Sequence, residues 1–224
     1  MESIRIKSFS LLLVLATLVG CATETHQKVT VTPVETNKTI YNGPKSTLVL
    51  GEFNNNSNYM QGLFSSNIDK LGNQGQIILK THLQQTNRFK VVDRDNLANL
   101  QKEAELLGIK QEIKGARYVI SGGVTEFGRK VIGDKQLFGI LGSGKSQIAY
   151  AKVSLNIIDV LTSEIIYSTQ GAGEYQLNER QVIGFGSKAG YDATLNGKVL
   201  DFAIKESVNN MTRDLENGRL NFVL

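Results

Sequence analysis

The stretch QIAYAKVSLNIIDVLTSEIIYSTQGAGEYQLN, residues 147–178, decides the fold of this chain. In its first half small or apolar residues alternate with mostly polar ones, and this period of two predicts a β-strand over Gln147–Val160 with one buried face. Residues 161–164 (LTSE) predict a turn into a second strand that begins at Ile165. The stretch therefore predicts a long β-hairpin. The residues expected on the buried face of the first strand are Ala149, Ala151, Val153, Leu155 and Ile157.

The second strand of this hairpin is unusually long. Its odd positions from Ile165 to Leu177 are apolar or small, and its even positions from Ser168 to Asn178 are mostly polar. This length exceeds the usual five or six residues of a strand. A membrane-barrel hairpin, with lipid on one side and water on the other, shows this alternation. An ordinary hairpin on a soluble sheet, with one face packed on a helix, shows it too, so both interpretations stay open.

The remaining elements alternate between strands and helices. This order predicts an α/β domain over 46–224 with a mixed sheet and flanking helices. We expect Asp95 to cap the second helix and Gly108 to end it. The loop over 54–74 is rich in Asn, Ser and Gly, and a loop of that length is usually functional or disordered. The predicted strands are Ser46–Phe53, Phe89–Val92 and Tyr118–Val124, and the predicted helices are Gln76–Asn87, Asn96–Leu107 and 198–216.

The amino-terminal residues predict a lipoprotein signal peptide over 1–20. A positive start is followed by a short apolar run, too short for a stable membrane anchor. The run ends in Leu18-Val19-Gly20-Cys21, which matches the lipobox of bacterial lipoproteins, so we expect acyl chains on Cys21. An incidental cysteine after a cleaved secretory signal is the alternative. Ala22 favours sorting to the outer membrane, and residues 21–45 are predicted to form a polar tether.

Composition excludes several classes of function. The net charge is +4 and no dense block of Lys or Arg occurs, so nucleic acid is not an expected partner. Cys21 is the only cysteine, and His26 and His82 are the only histidines, so we expect no metal site, no cofactor and no catalytic triad. Asp93 and Asp95 flank Arg94, and helix capping with an ion pair is the ordinary explanation. The sequence predicts no enzyme.

One motif imitates a phosphate-binding loop. Residues 139–146 (GILGSGKS) satisfy the pattern G-x-x-x-x-G-K-[ST], with Gly139, Gly144, Lys145 and Ser146 at its defining positions. A phosphate loop needs a helix immediately after it. The residues that follow here have the period of a strand. We therefore interpret the motif as a chance match within a flexible hairpin tip.

Several segments resemble the curli-secretion lipoprotein family CsgG. Residues 89–103 (FKVVDRDNLANLQKE) are similar to the family's strand followed by ER/DR-x-x-L-x-x-L-x-x-E. Residues 116–164, with the glycine-rich excursion around Leu137-Phe138-Gly139-Ile140, and Gly190-Tyr191 before the last helix, are also similar. The resemblance covers nearly all of the chain after the signal peptide.

The resemblance implies a specific architecture and function. Members are outer-membrane lipoproteins whose periplasmic α/β domains assemble as a ring, nonameric in the family, and share one β-barrel. Each copy contributes two hairpins, which by position are 128–152 and 166–192 here. Unfolded curli-like fibre subunits cross this channel without nucleotide hydrolysis, and periplasmic or extracellular accessory proteins assist. A periplasmic docking lipoprotein of the same fold, without a channel, is the alternative function.

The resemblance also implies a constriction of the channel. In the family a loop after the first strand narrows the pore with a ring of Tyr, Asn and Phe. Residues 64–68 (FSSNI) occupy the matching place, with Phe64 at the Tyr position, Asn67 at the Asn position and Ile68 at the Phe position. Their spacing is one residue shorter than in the family. A solvated Asn/Ser-rich loop is the alternative interpretation.

Overall fold

The computed structural model describes residues 33–59, 69–135, 143–181 and 195–222. Its helices and strands follow one another as the alternation in the sequence predicts, although several of them begin earlier or end later. In chain order they are a 3-10 helix (Glu35–Lys38), β1 (Ser46–Asn55), α1 (Lys70–Thr86), β2 (Phe89–Val92), α2 (Leu97–Leu106), β3 (Tyr118–Lys135), β4 (Ser143–Asp159), β5 (Ile165–Gln181) and α3 (Leu195–Glu216).

The five strands form one sheet in the order β2-β1-β3-β4-β5. β1 pairs in parallel with β2 and β3, whereas β3 and β4, and β4 and β5, pair antiparallel. The predicted α/β fold with a mixed sheet is therefore confirmed. β3 is longer than predicted, because it continues past Val124 to Lys135 and stays paired with β4 up to Ser143.

One core joins the sheet to α1 and α3. Leu48 of β1, Ile120 of β3 and Leu155 of β4 are at most 1% exposed, and they belong to the same cluster as Leu79 of α1 and Ile204 of α3. Residues that alternate with these on the strands face the opposite side of the sheet and are mostly polar. The domain thus has one helix-covered sheet face and one polar face.

α1 begins at Lys70, six residues before the predicted start. The Asp69 side chain caps it by accepting a hydrogen bond from the Gly72 amide at 2.7 Å. Gly75 lies against the ring of Phe53, where a Cβ would be 2.2 Å from Cε1. The glycines that make this segment resemble a loop are therefore sites of close helix–strand packing.

The predicted cap of α2 is wrong. Asn96 precedes the helix without a side-chain cap, and the Asp95 carboxylate accepts a hydrogen bond from Lys80 Nζ at 2.8 Å instead. Gly108 follows the helix with φ +67°, as its predicted role in ending the helix requires. Along this helix Ala104 is buried, whereas Leu100 is 45% exposed.

The small and apolar face of β5 packs on α3. Gly171 and Gly173 touch the α3 backbone, and the Tyr175 ring stacks on Phe202 at 6.2 Å between centroids. The structure therefore assigns the odd positions from Tyr167 to Tyr175 to a helix-covered face, which is the second of the two interpretations of this strand, whereas Ile165 is 57% exposed. Phe202 remains 37% exposed.

Candidate functional site

A three-stranded ribbon extends beyond the part of the sheet that β1 reaches. Its strands are residues 130–135 of β3, 143–148 of β4 and 176–181 of β5, and these residues are called the ribbon from here on. Lys130 pairs with Ile148, and Ile148 pairs with Gln176. At the far end Ser143 pairs with both Lys135 and Gln181. The ribbon is therefore a continuous antiparallel sheet.

The ribbon has two edges without a strand neighbour among the described residues. β1 pairs with β3 only as far as Val124, so residues 125–135 of β3 have no strand on that side. β5 is the last strand of the sheet on the other side. A strand edge presents unpaired N–H and C=O groups and can pair with another chain. One edge belongs to β3 and the other to β5, on opposite sides of the ribbon. The β3 edge of one copy could therefore pair with the β5 edge of a neighbouring copy.

The base of the ribbon is joined to α3 and to the segment after β1. Arg129 Nε donates a hydrogen bond to Asn196 Oδ1 at 2.7 Å, and Asn196 Nδ2 donates one to the Tyr59 hydroxyl at 3.0 Å. The centroids of the Tyr59 and Phe127 rings lie 4.6 Å apart. On the polar face the Tyr150 ring covers Gly128. These contacts fix the ribbon where it leaves the core.

The segment Asn54–Tyr59 also fixes one end of the loop in which the constriction is predicted. Asn55 Nδ2 donates to the Tyr59 carbonyl at 2.9 Å, and Asn55 N donates to Asp69 Oδ2 at 2.6 Å, so both ends of the loop are tied to β1. Phe64, Asn67 and Ile68 themselves lie outside the described residues.

A cleft of about 360 Å³ opens on the polar face of the sheet, beside this segment. Gly122 and Gly123 contribute to its lining without side chains. Its polar lining includes Glu52, Asn54, Asn56, Ser121, Thr125 and Ser154. No local pattern in the sequence predicts this cleft, because its lining comes from three strands that are separate in the chain.

The amino-terminal segment enters the body at the other end of α3. Arg88 is 2% exposed and its Nη1 donates to the carbonyl oxygens of Thr36, Thr39 and Thr86 at 3.0, 3.2 and 2.7 Å. Its Nε also donates to Glu216 Oε1 at 3.0 Å. The predicted tether is therefore held on the body at Val34, which is 2% exposed, and at the Thr36 and Thr39 carbonyl groups, whereas Ile40 is 88% exposed. Cys21 lies outside the described residues.

Other residues considered in the sequence have structural partners. His82 is buried, and its Nε2 lies 2.8 Å from Asp201 Oδ1 of α3. Lys80 Nζ lies 3.2 Å from Asp93, and a hydrogen bond from Asn96 together with Lys80 lowers the pKa of the Asp93 carboxyl. Arg94, instead of pairing with its neighbours, donates to the carbonyl oxygen of Lys114.

The described residues of the phosphate-loop pattern belong to a strand. Gly144, Lys145 and Ser146 belong to β4, and the strand continues to Asp159, whereas Gly139 lies outside the described residues. Within the described ranges no group of three or more His, Cys, Asp or Glu could hold a metal ion. No helix in these ranges is long and apolar enough to cross a membrane.

Solved structures with a similar fold come from several bacteria. The PelC dodecamer from Paraburkholderia phytofirmans is 16% identical, with a TM-score of 0.35, over 80% of this chain and 93% of that one. The lipoprotein GNA1162 from Neisseria meningitidis is 13% identical, with a TM-score of 0.37, over 77% of this chain and 99% of that one. These likenesses concern the fold alone.

The sequence comparisons are more specific. A protein of Neisseria meningitidis serogroup B named as a lipoprotein, NMB1126/NMB1164, is 56% identical over 201 residues, which are 90% of each chain. The family model described as curli production assembly/transport component CsgG matches residues 36–221. With nearly the whole described body inside that match, this chain belongs to the CsgG family.

Proposed function

We propose that this chain is an outer-membrane lipoprotein that assembles into a ring-shaped secretion channel for unfolded, curli-like fibre subunits. Acyl chains on Cys21 would hold it in the membrane, and the α/β body would face the periplasm. The channel would work without nucleotide hydrolysis, and the chain would have no enzymatic role. The family membership and the lipoprotein name of the 56% identical relative support this proposal.

The observation that carries the proposal is the ribbon with its two different edges, neither of which has a strand neighbour in the part of the chain that the structure describes. An edge of β3 over 125–135 and the outer edge of β5 can pair head to tail between neighbouring copies. Such heterologous contacts generate a ring when the rotation closes. Closure would satisfy every backbone N–H and C=O group along the ribbon, which a lipid environment requires.

A second function is favoured by the composition of the ribbon. Its sequence includes Asp134, Lys135, Lys145, Glu179 and Arg180. On a lipid-facing surface near the bilayer midplane a Lys or Arg costs about 2–4 kcal/mol, and an Asp or Glu costs less. The small face of β5 up to Tyr175 is also taken by α3. Both observations suit a periplasmic docking lipoprotein whose ribbon pairs with partner proteins in water.

One experiment separates the two functions. The full-length protein is extracted in detergent, its native mass is measured, and its conductance is recorded in planar bilayers. A ribbon-shortened variant joins Arg129 to Ala149 through a short Gly-Ser turn. The matched control replaces Ile109 and Ile113, both exposed, with serine.

If the chain forms a channel, we expect a large ring that conducts ions. The ribbon-shortened variant should lose both the ring and the conductance, and the control should keep both. A ring or smaller assembly without conductance would support the docking function instead. A protein that stays monomeric and does not conduct would end the channel proposal.

A further inference from the structure

The chain at the end of β1 presents the side-chain amides of Asn54 and Asn56 at the surface. Asn54 Nδ2 donates one hydrogen bond to Glu52 Oε2 at 3.3 Å and keeps its second N–H for a ligand. Asn55 and Ser57 point inward, where Asn55 Oδ1 accepts hydrogen bonds from Ser57 N at 3.1 Å and from Ser57 Oγ at 2.6 Å. Asn54 and Asn56 alternate with them and line the cleft on the polar face. The inward pair therefore holds the segment rigid, while the outward pair is exposed.

Irregular pairing shapes the cleft at this point. The register between β1 and β3 shifts between Leu50 and Phe53, and the register between β3 and β4 shifts between Val124 and Glu126. Bulges of this kind increase strand twist and occur often beside functional sites. Gly122 and Gly123 lie between the two shifts and put no side chain on the floor. The result is a concave surface on an otherwise ordinary sheet.

The lining decides which ligands suit the cleft. Its described residues include no Lys, Arg or aromatic side chain, so neither an anion nor a stacked ring finds a partner there. The polar groups recur at every second residue, at positions 52 and 54 of β1 and at position 56 directly after it. An extended polypeptide repeats its backbone N–H and C=O groups at the same interval, about 6.6–6.8 Å. Glu52 is the one carboxylate in the lining and favours a neutral or basic ligand.

We propose that this cleft binds a short stretch of an extended, unfolded polypeptide with small, polar side chains. The amides of Asn54 and Asn56 and the hydroxyls of Ser121 and Ser154 hydrogen-bond to its backbone. The volume of about 360 Å³ lies at the lower end of the range of small-ligand sites, about 300–1,000 Å³, so only a few residues are held at once. The inference rests on the proposed export function, because it names a site on the α/β body where the protein would bind an exported chain.

The test uses the full-length protein in detergent and a fluorescein-labelled peptide of sequence (Gly-Asn-Gly-Ser)₃ as the probe. Binding is measured by fluorescence anisotropy for the parent, for the double variant Asn54→Leu/Asn56→Leu, and for the matched control Asn73→Leu/Gln84→Leu. The control makes the same kind of substitution on the exposed side of α1. All four side chains are exposed, and circular dichroism checks that each variant is folded.

The expected result is saturable binding that weakens at least about tenfold in Asn54→Leu/Asn56→Leu and stays unchanged in the control. No binding by the parent, or equal loss in both variants, overturns the proposal. Binding of cellohexaose that depends on Asn54 and Asn56, with no binding of the peptide, also overturns it, since the occupant would then be a saccharide.

The same preparations are tested for conductance, so that the two proposals can fail separately. If peptide binding depends on Asn54 and Asn56 but the protein does not conduct, the proposed binding site is supported and the proposed channel is contradicted. If the protein conducts but does not bind the peptide, the proposed channel is supported and the proposed binding site is contradicted.

Discussion

Gly171 of β5 lies so close to Ala203 of α3 that a Cβ at position 171 would be 2.2 Å from the Ala203 carbonyl oxygen. At Gly173 a Cβ would likewise be 2.8 Å from the carbonyl oxygen of Val199. α3 therefore rests directly on the backbone of β5. This contact explains why positions 171 and 173 of β5 are glycines, and the explanation requires no lipid.

Adding a side chain at this contact should separate α3 from the sheet. We expect Gly171→Val to lower the free energy of unfolding by about 1–3 kcal/mol, or more if α3 detaches, because the core there has no room for extra atoms. Urea unfolding followed by circular dichroism measures the change. Gly115→Val is the control, since nothing lies within 4 Å of a Cβ at Gly115. Equal stability of the two variants would contradict the packing described here.

The sequence predicted those features that depend on neighbouring residues in the chain. Alternation along Gln147–Val160 predicted β4, because a strand shows its buried face in every second residue. The sequence did not predict the first turns of α1, because Gly72 and Gly75 are residues typical of loops. Only the structure shows that both lie against Phe53 of β1, where a side chain would not fit. Whether the face of β5 meets lipid or α3 cannot be read from alternation, since both leave the same pattern. The cleft depends on register shifts between strands that are distant in sequence.

Arg88 should hold the amino-terminal segment on the body. We expect Arg88→Met to destabilise the fold by about 2–4 kcal/mol, because one buried and two partly buried carbonyl oxygens lose their donor. Limited proteolysis should then cut within residues 34–45 much faster than in the parent. Arg219→Met serves as the control, because the Arg219 side chain is 72% exposed. Unchanged proteolysis in Arg88→Met would show that the segment is held by other contacts.

Asp159 should make stability depend on pH in the acid range. The Leu161 amide, at 2.8 Å, and then Arg117 hold the pKa of the Asp159 carboxyl below its ordinary value of 3.8. The stabilisation is complete above that ordinary value and is lost as the pH falls below it through the lowered pKa of the folded state. Asp159→Asn should therefore be less stable near neutral pH and should lose less stability on acidification. Urea midpoints across this range test the prediction, with Glu112→Gln as the control, and parallel curves for parent and Asp159→Asn would contradict it.

Cys21 should carry the membrane anchor. We expect Cys21→Ser to move the protein from the membrane fraction to the soluble fraction, because acyl chains contribute about 0.8 kcal/mol for each buried CH₂. Fractionation and mass spectrometry of the amino-terminal peptide measure both location and lipid. A parent protein that begins at a residue other than Cys21, without acyl chains, would show an ordinary cleaved secretory signal.

The loop between Tyr59 and Asp69 should set the conductance if the chain forms a channel. Contacts of Asn55 with Tyr59 and Asp69 hold both ends of this loop beside the ribbon base. We expect Phe64→Ala, Asn67→Ala and Ile68→Ala each to raise single-channel conductance, because smaller side chains would widen the narrowest ring. Asn73→Ala, on the exposed side of α1, is the control and should conduct like the parent. If all three variants conduct like the parent, Phe64, Asn67 and Ile68 do not line the narrowest part of the pore, and the alternative of a solvated loop is supported.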